Sequence, residues 1–274
     1  MAPAIMENPI GMSLYLDIRG SGPAVVLLHG CPSSPDDYAP LAERLARRHR
    51  VVVPHLHGYG RSDCGPRPYS LGRAVSDLES RLLNEGITAA DFVGFSGGAY
   101  KVVAIALGDR VAVSRLVLLA PAIGLDADVA QGYRDVAAAV RSGALDARTT
   151  WLDRMASPGF ATRDPTGAAR VLAWLDAVPQ PVVCDELVAF ADADDLRPRL
   201  GSIDCPVLVC AGTADRAVPM SWSEDVVRRL SRASLERIDG AGHALLIEAP
   251  DRVERVIEEF LESATGVELE ERDG

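Results

Sequence analysis

Aromatic residues fill only 5% of the 274 positions, and histidine occurs five times. Basic residues are outnumbered: 28 Lys and Arg stand against 39 Asp and Glu, a net charge of −11. That balance excludes a nucleic-acid partner, whose phosphates demand a basic face, and adsorption to an anionic membrane surface. No run of about 20 apolar residues is present to span a bilayer. Met1 to Gly20 lacks a basic stretch followed by an apolar core, so a secretory leader is not expected. The five cysteines (Cys31, Cys64, Cys184, Cys205 and Cys210) contain no C-x-x-C, which argues against zinc or a redox dithiol. Their odd number and irregular spacing point to free thiols in a reducing compartment, hence a cytoplasmic protein. There is no internal repeat and no low-complexity linker. Part of the acidity lies in Glu268 to Gly274, and residues 266–274 are expected to be a solvated, disordered tail rather than a partner site.

What is present is an apolar content of 48%, enough for a sizeable core, in a length that suits one domain or one domain with an insertion. Short apolar runs alternate with helical stretches. Ser13 to Ile18 alternates as a strand. Ala24-Val-Val-Leu-Leu28, Val51-Val-Val53, Phe92 to Phe95, Arg115 to Ala120, Pro206 to Ala211 and Leu235 to Ile238 read as further strands, most of them covered on both faces. Tyr38 to Arg48, Leu71 to Asn84, Ser223 to Leu230 and Asp251 to Leu261 carry helical spacing. Strand–helix repetition predicts an α/β fold: a doubly wound, mostly parallel sheet with helices on both faces. From 122 to 200 the pattern is helical with no buried strand. Residues 1–121 and 201–265 are therefore expected to form the core and 122–200 an inserted helical cap. Trp151, Met155, Phe160, Trp174, Leu175 and Phe190 are the cap's apolar anchors.

The chemistry concentrates at Gly94-Phe95-Ser96-Gly97-Gly98, a G-x-S-x-G pentapeptide between the strand-like Asp91-Phe92-Val93 and a helical run from Ala99 to Leu107. A serine hydroxyl needs a base to take its proton and must stand clear of the backbone; a tight strand-to-helix turn with small neighbours holds it so. His243, in Asp239-Gly-Ala-Gly-His243, follows the last short strand on a glycine-rich approach and is the candidate base. Asp215, in Ala211-Gly-Thr-Ala-Asp215, follows a buried strand and is the candidate orienting acid. Asp126, after the preceding strand, is an alternative acid, whereas Asp204 precedes its strand and belongs to the wrong edge of the sheet.

Serine, acid and histidine in that order resemble the α/β-hydrolase superfamily, in its capped branch with a serine nucleophile. His29-Gly-Cys-Pro32 is similar to its His-Gly-x-Pro loop. Gly58-Tyr-Gly-Arg-Ser62 is similar to its Gly-x-Gly-x-Ser loop. Ala211 to Pro219 and Gly242 to Pro250 are similar to its acid and histidine loops. The resemblance covers nearly the whole chain apart from its first residues, the cap and the tail. It implies an oxyanion hole made by the backbone N–H groups of Cys31 and Gly97, with the Cys31 thiol at the pocket mouth. One departure is the pair His55 and His57, where relatives usually carry an aspartate and an arginine. In an extended segment these two would share a face, but a metal site lacks a third ligand.

The resemblance implies a carboxylesterase-like serine hydrolase, without cofactor or metal, acting on a small or medium ester or lactone. Carbon–carbon bond hydrolysis or cofactor-free perhydrolysis on the same framework is the alternative, although Ala244 stands where carbon–carbon hydrolases often have tryptophan. A third possibility is a ligand-binding relative without turnover. A monomer or homodimer is expected. His29 is expected to support the oxyanion loop, Tyr100 and Lys101 to be packing and surface residues, and Arg134, Arg141 and Arg148, seven apart, to form a solvated helix face.

Overall fold

The hydrophobic runs pair into one sheet, as the alternation predicts. The computed structural model describes residues 14–263 apart from Pro66 and Ala147. The tail expected over 266–274 lies outside the described residues, as do residues 1–13. In chain order the elements are β1 (Leu16–Arg19), β2 (Ala24–Leu28), α1 (Ala39–Leu45), β3 (Arg50–Pro54), α2 (Leu71–Asn84), β4 (Ala89–Phe95), α3 (Gly97–Ala106) and β5 (Ala112–Leu119). There follow α4 (Ala127–Arg141), α5 (Arg148–Met155), α6 (Phe160–Arg163), α7 (Pro165–Ala173) and α8 (Gln180–Ala191). The last group is β6 (Val207–Gly212), α9 (Met220–Arg229), β7 (Ala233–Ile238), α10 (Leu245–Glu248) and α11 (Pro250–Glu262).

The described strands form one seven-stranded sheet in the order β1-β3-β2-β4-β5-β6-β7. β1 pairs antiparallel with β3 at one edge, and the other pairings are parallel. Successive side chains of a strand point to opposite faces, so each apolar run feeds two cores. Val26, Leu28, Phe92, Leu116 and Val209 enter one core, beneath α2, α3 and α9. Val25, Leu27, Val93, Val117 and Leu208 enter the other, beneath α1, α10 and α11. Each such side chain contributes about 1.5–3 kcal/mol on leaving water. Helix α11 shows how the sequence selects a face: Val253, Val256, Ile257, Phe260 and Leu261 recur at helical spacing and are all buried.

Between β5 and β6 the described residues form helices and no strand. Of the six apolar anchors in this segment, Trp151, Met155, Leu175 and Phe190 line a cavity above the sheet. Phe160 and Trp174 instead pack into the core of the α11 face, where the Trp174 indole donates to Asp37 Oδ2 at 2.7 Å. Six strands of the sheet run parallel, so their carboxyl ends share an edge. The loops holding His29, His55, Ser96, Asp215 and His243 all leave from it, where open α/β sheets form their crevices.

Candidate active site

Ser96 sits between β4 and α3 with φ +51° and ψ −116°, a conformation that costs a non-glycine residue on the order of 1–3 kcal/mol. The surroundings enforce it. The Ser96 amide donates to Leu119 O at 2.8 Å, and Ser96 O accepts from the Ala99 amide at 2.9 Å. A side chain at Gly98 would land on the carbonyl oxygens of Leu28 and His29, and one at Gly94 on Val102 and the backbone of α3. The small residues of the pentapeptide thus let α3 press against β2 and β4 while the serine stands out on the turn.

The structure brings the three predicted side chains together. Ser96 Oγ lies 2.9 Å from His243 Nε2, and His243 Nδ1 lies 2.8 Å from Asp215 Oδ2. Asp215 Oδ1 accepts from the amides of Ala217 and Val218 at 2.7 and 2.9 Å. Every partner of this carboxylate is a donor, so Nδ1 carries the imidazole proton and Nε2 is left to accept from the serine. The His243 and Asp215 side chains are only 4% and 1% exposed, so their hydrogen bonds are little diluted by water. Gly212 has no side chain because one would strike the carbonyls of Ala241 and Gly242; the histidine loop can therefore close over the end of β6. Asp126, the alternative acid, instead pairs with Arg197 at 2.8 Å and its side chain is 66% exposed.

Cys31 and Gly97 are also neighbours. A Cβ built on Gly97 would stand 3.7 Å from Cys31 Cβ, and the described residues offer neither N–H an acceptor. Burial pushes the Cys31 thiol well up, as does the neighbouring Glu186 carboxylate; a protonated thiol is no competing nucleophile. His29 anchors this loop. Its Nδ1 bonds to Gly30 O at 3.0 Å and its Nε2 accepts from the Leu56 amide at 3.1 Å. Burial lowers its pKa to about 4, so the ring stays neutral.

His55 and His57 do not share a face. His55 Nδ1 accepts from the Arg61 amide at 3.0 Å and its ring meets Tyr15 edge-on. His57 Nε2 bonds to Asp77 Oδ2 at 3.1 Å. The loop turns directly after them, at Gly58 and Gly60, both with positive φ. Among the described residues no group of three or more His, Cys, Asp or Glu side chains gathers to hold a metal.

Two expectations need correction. Lys101 is not a surface residue: its side chain is 0% exposed and its Nζ lies 2.7 Å from Glu186 Oε1, on a residue that is itself 0% exposed. Tyr59 donates to the other Glu186 oxygen at 2.8 Å, and the Tyr69 hydroxyl approaches at 3.5 Å. Burial drives the Glu186 carboxyl up, but the Lys101 ammonium, the Cys31 thiol and the Tyr59 hydroxyl outweigh it and hold the group below its usual range. Tyr100, by contrast, packs as expected, its hydroxyl on Asp194 O at 3.0 Å. The arginines spaced by seven are solvated, as expected, but do not lie on one helix face. Arg134 and Arg141 lie on α4 and pair with Asp192 and Asp185, whereas Arg148 begins α5 and pairs with Asp176. They clamp the helical segment to itself.

Sequence reasoning also missed Glu248, whose Oε1 accepts from the Gly242 amide at 3.0 Å while Oε2 takes both the amide and the hydroxyl of Ser157. It ties the histidine loop to the helical segment. Its only sequence signal is its place in the Gly242 to Pro250 motif. Ser96, His243, Cys31 and Gly97 open into a cavity of about 610 Å³ roofed by α4, α5 and α8. Its walls are mainly apolar, with Val136, Val140, Trp151, Val183 and Leu187 among the lining residues. Among the described residues no helix is long and apolar enough to cross a membrane.

A model of the alpha/beta hydrolase family matches residues 25–256 of the chain. A pimeloyl-acyl-carrier-protein methyl ester esterase of Xanthomonas campestris pv. campestris is 29% identical over 262 residues, covering 90% of this chain and 98% of that protein. The magnesium-chelatase 30 kDa subunit of Rhodobacter capsulatus is 29% identical over 255 residues, covering 88% of this chain and 87% of the subunit. Among solved structures, a thermophilic esterase from Thermogutta terrifontis aligns with a TM-score of 0.84 at 25% identity, over 93% of this chain and 95% of that one.

Proposed function

The chain belongs to the alpha/beta hydrolase family, and on that premise we propose that it is a serine hydrolase cleaving a small or medium carboxylic ester or lactone through an acyl-enzyme. Ser96 Oγ attacks the carbonyl carbon while His243 Nε2 takes its proton. Asp215 holds the imidazole in the required tautomer and stabilises the imidazolium that forms. The Cys31 and Gly97 amides receive the oxyanion; losing one such donor costs about 3–4 kcal/mol of transition-state stabilisation. His243 returns the proton to the departing alcohol, and water, deprotonated by the same imidazole, releases the acid. Residues 122–200 act as the cap that walls the pocket and excludes bulk water.

The observation that carries this reading is the 2.9 Å contact of Ser96 Oγ with His243 Nε2, backed by the 2.8 Å contact to Asp215. The strained backbone at Ser96 supports it, because strain of this kind persists where a side chain must be presented. The test is p-nitrophenyl acetate hydrolysis and phosphonofluoridate labelling of the wild type and Ser96→Ala. Turnover and labelling by the wild type alone are expected; equal turnover or equal labelling in both overturns the reading.

The similarity to a magnesium-chelatase subunit, whose name lies outside hydrolysis, favours a second reading in which the pocket binds a ligand without turnover. Ligand-dependent stabilisation with no product over hours would support it.

A further inference from the structure

The pocket is lined by donors that the hydrolytic scheme does not use, Arg154, Tyr133, Thr150 and Gln180 among them. Arg154 lies in the last turn of α5 and lines the cavity shared with Ser96 and His243. That turn is fixed to the reacting centre. Met155 O, one residue on, accepts at 2.9 Å from the amide of Ala244, the neighbour of His243. Asp153 O, one residue back, accepts from the guanidinium of Arg216, the neighbour of Asp215, at 3.5 Å. Ser157 is held by Glu248 from the histidine loop. Arg134, Arg141, Arg148 and Arg170, in the same helical segment, each pair with a carboxylate. Arg154 has no hydrogen bond or ion pair among the described residues.

Tyr133, on α4, lines the same cavity. Its hydroxyl likewise has no hydrogen-bond partner among the described residues. Burial raises its pKa, and of the charges acting on it that of Arg154 is the strongest. The phenol therefore stays protonated as a donor, within the field of the guanidinium. The remaining lining is mainly apolar, through Val136, Val140, Trp151 and Leu187 among others. The other lining arginine, Arg148, pairs with Asp176. An exposed guanidinium with no ion pair among the described residues and a half-buried phenol with no hydrogen bond, both lining one mainly apolar pocket, match a substrate carboxylate that accepts from both.

Resting on the hydrolase reading above, we propose that the natural substrate is an ester or lactone bearing a carboxylate on its acyl portion, which Arg154 and Tyr133 bind while Ser96 faces the scissile carbonyl. Both act as specificity determinants and take no part in bond making.

The test compares two p-nitrophenyl esters of nearly equal shape, the half-ester of adipic acid and the neutral 6-methylheptanoate. For the wild type, kcat/KM is expected to favour the half-ester by about tenfold or more, the scale of one charge-assisted contact. In Arg154→Gln that ratio should fall to near one, with the loss in KM for the half-ester rather than in kcat. Arg154→Lys, which keeps the charge without the planar fork, should recover part of it, and Tyr133→Phe should lower it about threefold to fivefold. Hydrolysis of both esters at the same ratio by the wild type and Arg154→Gln overturns this inference and leaves the hydrolase reading standing. Hydrolysis of neither ester overturns both.

Discussion

Two buried polar clusters meet at the turn that presents Ser96, and they differ in what they face. His243 and Asp215 come from loops at the ends of β7 and β6 and open, through the serine, onto the cavity. Lys101 and Glu186 join α3 to α8, are sealed from solvent, and do not line that cavity. In the second cluster the carboxylate is surrounded by donors: the ammonium and the hydroxyls of Tyr59 and Tyr69. Neither charged group of that cluster reaches the cavity. A charge withdrawn from water therefore marks chemistry only where one partner remains accessible; where all are satisfied, it marks a junction between parts of the fold. Each cluster also has a tie to the helical segment, Glu186 on one side and the Glu248–Ser157 contact on the other.

The largest expected effect breaks the comparison if it fails. Asp215→Asn should lower kcat for p-nitrophenyl acetate by about 10⁴-fold with little change in melting temperature, because the imidazole loses the partner that fixes its tautomer. A loss below tenfold would mean that the first cluster is no more chemical than the second. Next comes Lys101→Met, which strands the Glu186 charge in an apolar site and should cost about 3–5 kcal/mol in urea denaturation. Adding Glu186→Leu should restore most of that stability, since two apolar side chains no longer need each other's charge; a double variant as unstable as the single one would refute the account of the junction.

His29 packs against Tyr59 with ring centroids 4.5 Å apart and so belongs to the wall between the clusters. Its folded pKa of about 4 lies below the ordinary value of 6.5, so the unfolded chain binds a proton that the folded one refuses. The neutral ring's contribution is complete above pH 6.5 and is lost as pH falls toward 4, a difference on the order of 3 kcal/mol. The stability of His29→Gln should therefore fall less steeply between those pH values than that of the wild type, as read by denaturation at a series of pH values. The smallest effect is expected from Glu248→Gln. It weakens the charge-assisted bonds that tie the histidine loop to Ser157, and should reduce kcat by about tenfold while leaving KM within a factor of two or three.

Much of the first cluster is legible in the amino-acid sequence, and little of the second. The strands announce themselves as short apolar runs bounded by turns, and the serine turn, the acid loop and the histidine loop each carry a local signature of small residues around one functional group. Lys101 is not legible, because a lysine on a helix ordinarily reads as solvent-facing, and its partner lies 85 residues away. Glu186 and Glu248 stand in helical stretches where a glutamate is commonplace. His55 and His57 mislead in the opposite direction: an extended segment would align them, but they bond to separate partners, Arg61 and Asp77.

By itself the sequence determined the α/β architecture, the chain order of serine, acid and histidine, and the helical character of residues 122–200, because hydrophobic period and turn chemistry act over a few neighbouring residues. Only the tertiary structure decided that His243 meets Asp215 rather than Asp126, that Lys101 is buried against Glu186, and that Arg154 and Tyr133 face the pocket without partners of their own. Those outcomes depend on side chains far apart in the chain competing for the same space and the same hydrogen bonds, and no local pattern encodes the result of that competition.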